Sequence, residues 1–379
     1  MELKIRDYIQ EHKEEIFHDL VSLCEVEAST AEVENLAEVR AKLIEIIQRR
    51  LGGEPEVIEV ESTRNCVYSK LLEGNGKNEQ PILMMGHYDT VHPRGKISVR
   101  KEGDILFGPG VFDMKGGIVE GIWACKAVKD LGLETNYPVH MLNNGDEETS
   151  SKDSVHILIE RAEGVRAALI LESAMENGDC KTGRKGQCPC TIKIYGKASH
   201  AGLRPEEGIN AILEASHHTI ALQALNDYEA GTTVNVGIIT GGGIRNVVPD
   251  EVTLEVDVRF KTFAERERIQ EAIRNIPLTL EGTRKEVVFQ KGTSPMEENE
   301  KGLELFELCR ESAEKIGFKL GKQFVGGGSD ANRISHLGMP LLDGLGPAGE
   351  GMHALHEQIN LEWFYDRTAM LAAMLTKIK

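Results

Sequence analysis

The chain has 379 residues, and its 44 lysines and arginines against 61 aspartates and glutamates give a formal net charge of −17. This acidic balance argues against nucleic acid and anionic membranes as partners, because both are bound through positive charge. No uncharged apolar run is long enough to span a membrane, and the charged residues 1–8 contain no signal-peptide core. Seven scattered cysteines predict reduced thiols and a cytoplasmic protein.

Apolar spacing in residues 1–51 predicts helices. Short apolar runs at 81–86 and 139–143 predict buried strands, and residues 167–172 predict a third strand with an acidic end. Residues 116–130 are expected to form a buried helix between the first two strands. Strands that alternate with helices are typical of an α/β layer with a mostly parallel sheet.

The pattern changes after residue 190, where alternating strands and two helices follow the order β-α-β-β-α-β. That order is the ferredoxin-like arrangement. The α/β pattern returns after Pro295. We therefore predict a smaller domain, residues 184–295, inserted into a larger domain made of residues 1–183 and 296–379.

Several polar clusters follow the predicted strands and turns. His87 and Asp89 lie two residues apart after the first strand, so they can share a face, as a metal-binding histidine and its orienting carboxylate do. Asp113 lies among glycines in the turn 108–117, and Glu147 and Glu148 follow the second strand. Each cluster taken alone is more typical of a solvated loop.

Taken together, these residues, Glu172 and a late histidine fall at separate strand ends of one layer, where sites in open α/β sheets lie. They supply enough nitrogen and oxygen ligands for two divalent ions. Two adjacent glutamates can also have different roles, since one can bind a metal while the other accepts a proton.

The chain resembles the zinc exopeptidase family that contains glutamate carboxypeptidase, succinyl-diaminopimelate desuccinylase, acetylornithine deacetylase and aminoacylase. Glutamate carboxypeptidase is the most similar of these members. Ten segments carry the resemblance, and they run in order over nearly the whole chain. They are residues 86–91, 108–117, 146–148, 171–172, 196–202, 246–249, 257–259, 326–331, 343–347 and 351–353.

The resemblance implies an α/β catalytic domain with two zinc ions per chain, for which cobalt or manganese are substitutes. It implies that Asp113 bridges the ions through a carboxylate whose following peptide bond is cis, and that Asp89 orients a histidine ligand. Glu147 matches the general base. The remaining matched ligands are His87 and Glu172 for one zinc and Glu148 and His353 for the other.

The resemblance also implies that the inserted domain is a dimerisation lid, so we expect a homodimer. His200 matches a lid histidine that reaches the partner chain's site and polarises the substrate carbonyl. Asn246 and Arg259 match substrate contacts, although Arg259 also fits the exposed face of a strand. The remaining matched substrate contacts, in a loop that touches the substrate carboxylate, are Gly327, Gly328 and Ser329.

We therefore predict a dinuclear zinc amidohydrolase, foremost a carboxypeptidase that releases a C-terminal amino acid from a small peptide. The alternatives are an N-acyl-amino-acid deacylase, a deacetylase or a dipeptidase and, in another class, a non-catalytic ligand-binding dimer. Arg184 and Lys185 resemble the desuccinylase and deacetylase, and fit either an anion-binding site or a solvated hinge. His217 and His218 are expected at the surface of the lid helix.

Overall fold

The computed structural model describes residues 1–379, which form ten α-helices and nineteen strands. The helices are α1 (Glu2–Glu11), α2 (Lys13–Cys24), α3 (Val33–Leu51), α4 (Lys115–Asp130), α5 (Val155–Ala162), α6 (Ala211–Gln223), α7 (Phe263–Arg274), α8 (Glu300–Ile316), α9 (Ala331–Ile334) and α10 (Leu361–Leu375). The strands are β1 (Glu56–Ile58), β2 (Cys66–Leu72), β3 (Ile82–His87), β4 (Arg100–Glu102), β5 (Ile105–Phe107), β6 (Val139–Asn144), β7 (Ala167–Ile170), β8 (Cys180–Arg184), β9 (Gly186–Gln187), β10 (Cys190–Tyr195), β11 (Ser199–His200), β12 (Thr233–Gly241), β13 (Val247–Val248), β14 (Glu251–Phe260), β15 (Arg284–Phe289), β16 (Lys322–Val325), β17 (Leu341–Leu342), β18 (Gly349–Glu350) and β19 (Gln358–Asn360).

The chain divides into two units. Unit 1 comprises Met1–Gly183, Glu298–Val325 and Ser329–Lys379. Unit 2 comprises Arg184–Glu297 and Gly326–Gly328. Unit 2 thus ends two residues after the predicted insertion and also takes in a short glycine segment from a distant part of the chain.

Unit 1 is built on a six-stranded sheet in the order β1-β2-β6-β3-β7-β17. The last four strands in this order are parallel, and β1 and β2 are antiparallel at one edge. All of β3 is buried, which explains why its sequence is a continuous apolar run rather than an alternating one. The α/β class predicted from the sequence is confirmed.

The carboxyl ends of the central parallel strands meet at one edge of this sheet. His87, the last residue of β3, is in register with Asn144, the last residue of β6. Glu172 follows β7 by two residues. Parallel register therefore gathers side chains that are far apart in sequence at one edge.

Unit 2 contains an antiparallel sheet in the order β12-β14-β10-β15, with α6 and α7 between its strands along the chain. This is the predicted β-α-β-β-α-β order. Its apolar core includes Cys188 and Cys190, which pack as small buried residues. All seven cysteines are free and buried, and no helix is long and apolar enough to cross a membrane.

The prediction for His218 is wrong. His217 is exposed, but His218 is 1% exposed, and its Nδ1 lies 3.0 Å from Glu214 Oε1 one turn earlier on α6. Burial lowers the pKa of His218. The buried Glu214 also accepts the backbone N–H groups of Thr279 and Leu280, so this pair is part of the unit 2 interior.

Candidate metal centre

His87 and Asp89 are both buried, and their side chains are in contact. His87 Nδ1 lies 3.2 Å from Asp89 Oδ1 and 3.1 Å from the Asp89 backbone oxygen, which fixes the orientation of the imidazole ring. The opposite ring nitrogen, Nε2, lies 3.3 Å from Asp113 Oδ1 and 3.6 Å from Glu172 Oε1. One imidazole and two carboxylates therefore converge on one point.

Asp89 also holds the turn that carries the two adjacent glutamates. Its Oδ1 accepts the backbone N–H of Glu147 at 3.3 Å, and its Oδ2 accepts that of Glu148 at 3.2 Å and the Thr30 hydroxyl at 2.6 Å. A single buried carboxylate thus sets both the imidazole of His87 and the start of the 3₁₀ turn Glu147–Thr149.

A second point of convergence lies on the other oxygen of Asp113. His353 Nε2 lies 3.2 Å from Asp113 Oδ2 and 3.2 Å from Glu148 Oε2. Asp113 therefore turns one oxygen toward His87 and the other toward His353. The peptide bond from Asp113 to Met114 is cis, as the resemblance implies.

The donor set fits divalent cations. Donor atoms of His87, Glu147 and Glu172 lie within 4.8 Å of one another, and so do those of His87, Asp113 and Glu148. Glu148 Oε1 is buried without a hydrogen-bond partner. The buried carboxylates of this cluster have few hydrogen-bond donors among them, so their negative charge requires a compensating positive charge.

The pKa shifts within the cluster also indicate a site for a cation. Burial raises the pKa of Glu147 and of Glu148, and neighbouring carboxylates add to the effect. Hydrogen bonds to Asp113 and Glu148 raise the pKa of His353 to about 10. In the protein without a cation, a proton on His353 therefore partly neutralises the cluster, and a metal ion would displace that proton.

His200 lies in unit 2, in the short strand β11, and its side chain is exposed. Its Nδ1 accepts the backbone N–H groups of Gly202 and Leu203 at 3.2 and 3.1 Å. Because Nδ1 acts as an acceptor, the neutral ring carries its proton on Nε2 and presents an N–H donor there. Asn246 is also exposed, just before β13.

The glycine segment is held by two arginines of unit 2. Arg184, 4% exposed, donates from Nη1 to the carbonyl oxygens of Gly327 and Gly328 at 3.2 and 3.0 Å. Arg259 donates from Nη1 to the Gly326 carbonyl at 3.0 Å and from Nε to Asp257 at 2.9 Å. Arg184 is therefore engaged with the backbone, and Arg259 is more than the exposed face of a strand.

Ser329, the next residue, belongs to unit 1 and is buried. Its hydroxyl donates to Asp343 Oδ2 at 2.7 Å, and its backbone N–H donates to Asn332 Oδ1 at 3.0 Å. Both donors that the resemblance offers to a substrate at this position thus have partners within the chain.

The supporting roles of two further groups of residues were not predicted from the sequence. Asp146 accepts the backbone N–H groups of Asp153 and Ser154 at 2.9 and 3.2 Å, and the Ser151 hydroxyl donates to Asp330, so buried acids support the turn behind the glutamates. Glu357 is the other group. No sequence pattern signals its role, because the partners of its side chain lie more than 240 residues away.

A histidine–carboxylate cluster at the carboxyl edge of an α/β sheet is the arrangement of a metal-dependent hydrolase. The chain belongs to peptidase family M20/M25/M40, whose family model matches residues 83–377. It is a metal-dependent hydrolase of the metallopeptidase and amidohydrolase type.

Proteins of known sequence and of known structure are similar to this chain over most of its length. Carboxypeptidase G2 from Pseudomonas sp. strain RS-16 is 28% identical over 89% of this chain and 83% of its own length. Succinyl-diaminopimelate desuccinylase from Sulfurimonas denitrificans is 27% identical over 83% of this chain and 88% of its own. The crystal structure of aminopeptidase PepT from Bacillus cereus shares the fold, with a TM-score of 0.80, 23% identity, and coverage of 97% of this chain and 98% of its own.

Proposed function

We propose that this protein is a two-zinc carboxypeptidase that releases the C-terminal amino acid of a small peptide. The observation that carries the proposal is the placement of Asp113, whose two oxygens each face a different histidine. His87 and Glu172 would hold one ion with Asp113, and His353 and Glu148 would hold the other. Cobalt or manganese are candidate substitutes for zinc.

Bound cations supply Lewis-acid polarisation of a carbonyl and acidification of water. In the proposed reaction, Glu147 takes a proton from the attacking water and returns it to the departing amine. Glu147 is placed for this role by the turn that Asp89 holds, beside the donor atoms of His87 and Glu172. The N–H on His200 Nε2 would donate to the oxyanion that forms on the attacked carbonyl.

A C-terminal carboxylate on the substrate would be bound by the glycine segment and Arg259. The carbonyl oxygens of Gly327 and Gly328 are turned toward Arg184, and we assign their N–H groups to the substrate. Ser329 is assigned a supporting role, because its hydroxyl already binds Asp343. Asn246 would contact the substrate from its exposed turn.

The similarity to carboxypeptidase G2 favours the carboxypeptidase assignment, and that to a succinyl-diaminopimelate desuccinylase favours an N-acyl amino acid as the alternative substrate. Hydrolysis of a panel of C-terminal peptides, N-acyl amino acids and dipeptides separates these reactions. A non-catalytic binding protein would hydrolyse none of them.

We also propose a homodimer formed through unit 2, in which His200 serves the partner's site. Strand β12 is an edge strand, and Ile238 and Ile239 on it are 59% and 56% exposed. Ile220 on the neighbouring α6 is 70% exposed. Exposed apolar residues beside an unpaired strand edge are typical of a surface that another chain covers.

The first test is metal content together with the Glu147→Gln variant. We expect two zinc ions per wild-type chain, full metal content in Glu147→Gln, and a loss of kcat of about 10²–10⁴-fold, the usual contribution of a general base. Glu160→Gln, an exposed change on α5, is the matched control and should keep its activity. Wild-type kcat in Glu147→Gln would remove Glu147 from the mechanism.

A further inference from the structure

Glu357 lies in the turn that follows His353 and is 1% exposed. Its side chain binds the loop that carries Asp113. Oε1 accepts the backbone N–H groups of Phe112 and Asp113, both at 2.9 Å, and Oε2 accepts that of Gly110 at 3.1 Å. One buried carboxylate therefore holds three N–H groups of one short loop, including that of the proposed bridging residue itself.

Further contacts surround the Glu357 side chain and backbone. The backbone oxygen of Glu357 accepts the N–H of Gly108 at 3.2 Å, and His92 Nε2 lies 3.3 Å from Glu357 Oε2. Gly110 has a φ of +78°, a left-handed conformation that aims its N–H without a side-chain clash. The three backbone N–H groups use both carboxylate oxygens as acceptors, two of them at Oε1 and one at Oε2.

The backbone of Glu357 also belongs to the turn that carries His353. Its N–H donates to the Ala354 carbonyl at 3.1 Å, and the Ala354 N–H donates to the Gly351 carbonyl at 2.8 Å. The same residue thus ties the loop of Asp113 to the turn of His353. The side chains of those two residues meet at 3.2 Å.

We propose that Glu357 is a positioning residue that sets Asp113 opposite His353 and so shapes the metal centre without touching an ion. The inference rests on the proposed function, because it gives Asp113 and His353 the role of ligands. Loss of a group that orients metal ligands typically weakens metal binding 10–100-fold.

The test is Glu357→Gln, which keeps the shape of the side chain but turns an amide NH₂ against at least one of the three N–H donors. We expect zinc affinity, measured by competition with a chromophoric chelator, to fall 10–100-fold at one or both sites. The visible spectrum of the cobalt-loaded variant should also differ from that of the wild type. Glu362→Gln, an exposed change on α10, should alter neither.

A control for stability alone is Leu43→Ala, which removes a buried side chain of α3. It should lower the melting temperature and leave the cobalt spectrum unchanged. Amide hydrogen exchange of the metal-free proteins adds a readout without metal. The N–H groups of Gly110, Phe112 and Asp113 should be protected in the wild type and exchange at least tenfold faster in Glu357→Gln.

Unchanged zinc affinity, cobalt spectrum and exchange in Glu357→Gln would overturn the inference and leave the proposed function intact. A wild-type protein that binds no zinc would instead overturn the proposed function and the inference with it. If Glu357→Gln fails to fold, amide hydrogen exchange of the metal-free wild-type protein tests the inference instead. Slow exchange of the three amides supports the proposed hold on the loop, and fast exchange contradicts it.

Discussion

Glu120 shows how the interior of this protein constrains a single residue. It lies on α4 with no exposed surface, and neither carboxylate oxygen has a hydrogen-bond partner. Burial raises the pKa of Glu120 well above 4.5, and the charge of Arg367 offsets only part of that shift. The folded protein therefore retains a proton that the unfolded chain loses above about pH 4.5.

The sign of the resulting pH dependence follows from this proton. Between pH 4.5 and the raised pKa, Glu120 makes the free energy of unfolding fall as pH rises, by at most about 1.4 kcal/mol per pH unit. Glu120→Gln should remove that slope and be more stable than wild type at pH 8 but not below pH 4.5. Urea unfolding across this range tests it, with Glu160→Gln as control. Parallel curves for wild type and Glu120→Gln would contradict it.

Arg184 is a second residue for which the structure suggests a role, because it binds the backbone of the glycine segment. In the wild type, Arg184 Nη1 donates hydrogen bonds to two glycine carbonyls. Arg184→Lys keeps the positive charge but replaces the planar guanidinium with a single ammonium group. We expect KM to rise about tenfold with little change in kcat, because the glycine segment is proposed to bind the substrate carboxylate; tenfold corresponds to about 1.4 kcal/mol. Lys193→Gln on β10 is an exposed control. A fall in kcat at constant KM would place Arg184 in the chemical step instead.

At the scale of an element, α4 is pressed against the end of β7. A Cβ at Gly117 would lie 1.9 Å from the carbonyl oxygen of Leu171, the residue before Glu172. Gly117→Ala should therefore destabilise the protein by about 1–3 kcal/mol, although glycine to alanine normally stabilises a helix. Thermal unfolding measures this, and Lys126→Ala on the same helix should change stability by less than about 0.5 kcal/mol. A stabilised Gly117→Ala would show that α4 can move away.

At the scale of the whole molecule, every proposed metal ligand belongs to unit 1. Removal of the metal with a chelator should therefore lower hydrogen-exchange protection in unit 1 peptides and leave unit 2 peptides unchanged. Saturating metal at a hundred times its Kd contributes about 2.7 kcal/mol, which sets the size of the expected effect. An equal loss of protection in both units would show either that unit 2 also contributes metal ligands or that the two units unfold together.

Much of the architecture was predictable from local patterns. The buried strands, the long helices and the β-α-β-β-α-β order follow from the period of apolar residues, which reports burial directly. His218 is the exception, because a histidine beside another polar residue on a helix gives no local sign that it is buried against Glu214.

The sequence by itself determined which residues were candidates for the metal centre, because polar clusters that follow predicted strands and turns, together with motifs shared with a known family, single them out among 61 acidic residues and 12 histidines. Only the tertiary structure decided how they are oriented. Asp89 spans 58 residues to reach Glu147, and Glu357 spans 244 to reach Asp113. Such contacts depend on how parallel strands and loops are brought together in space, and no local pattern of residue types records that arrangement.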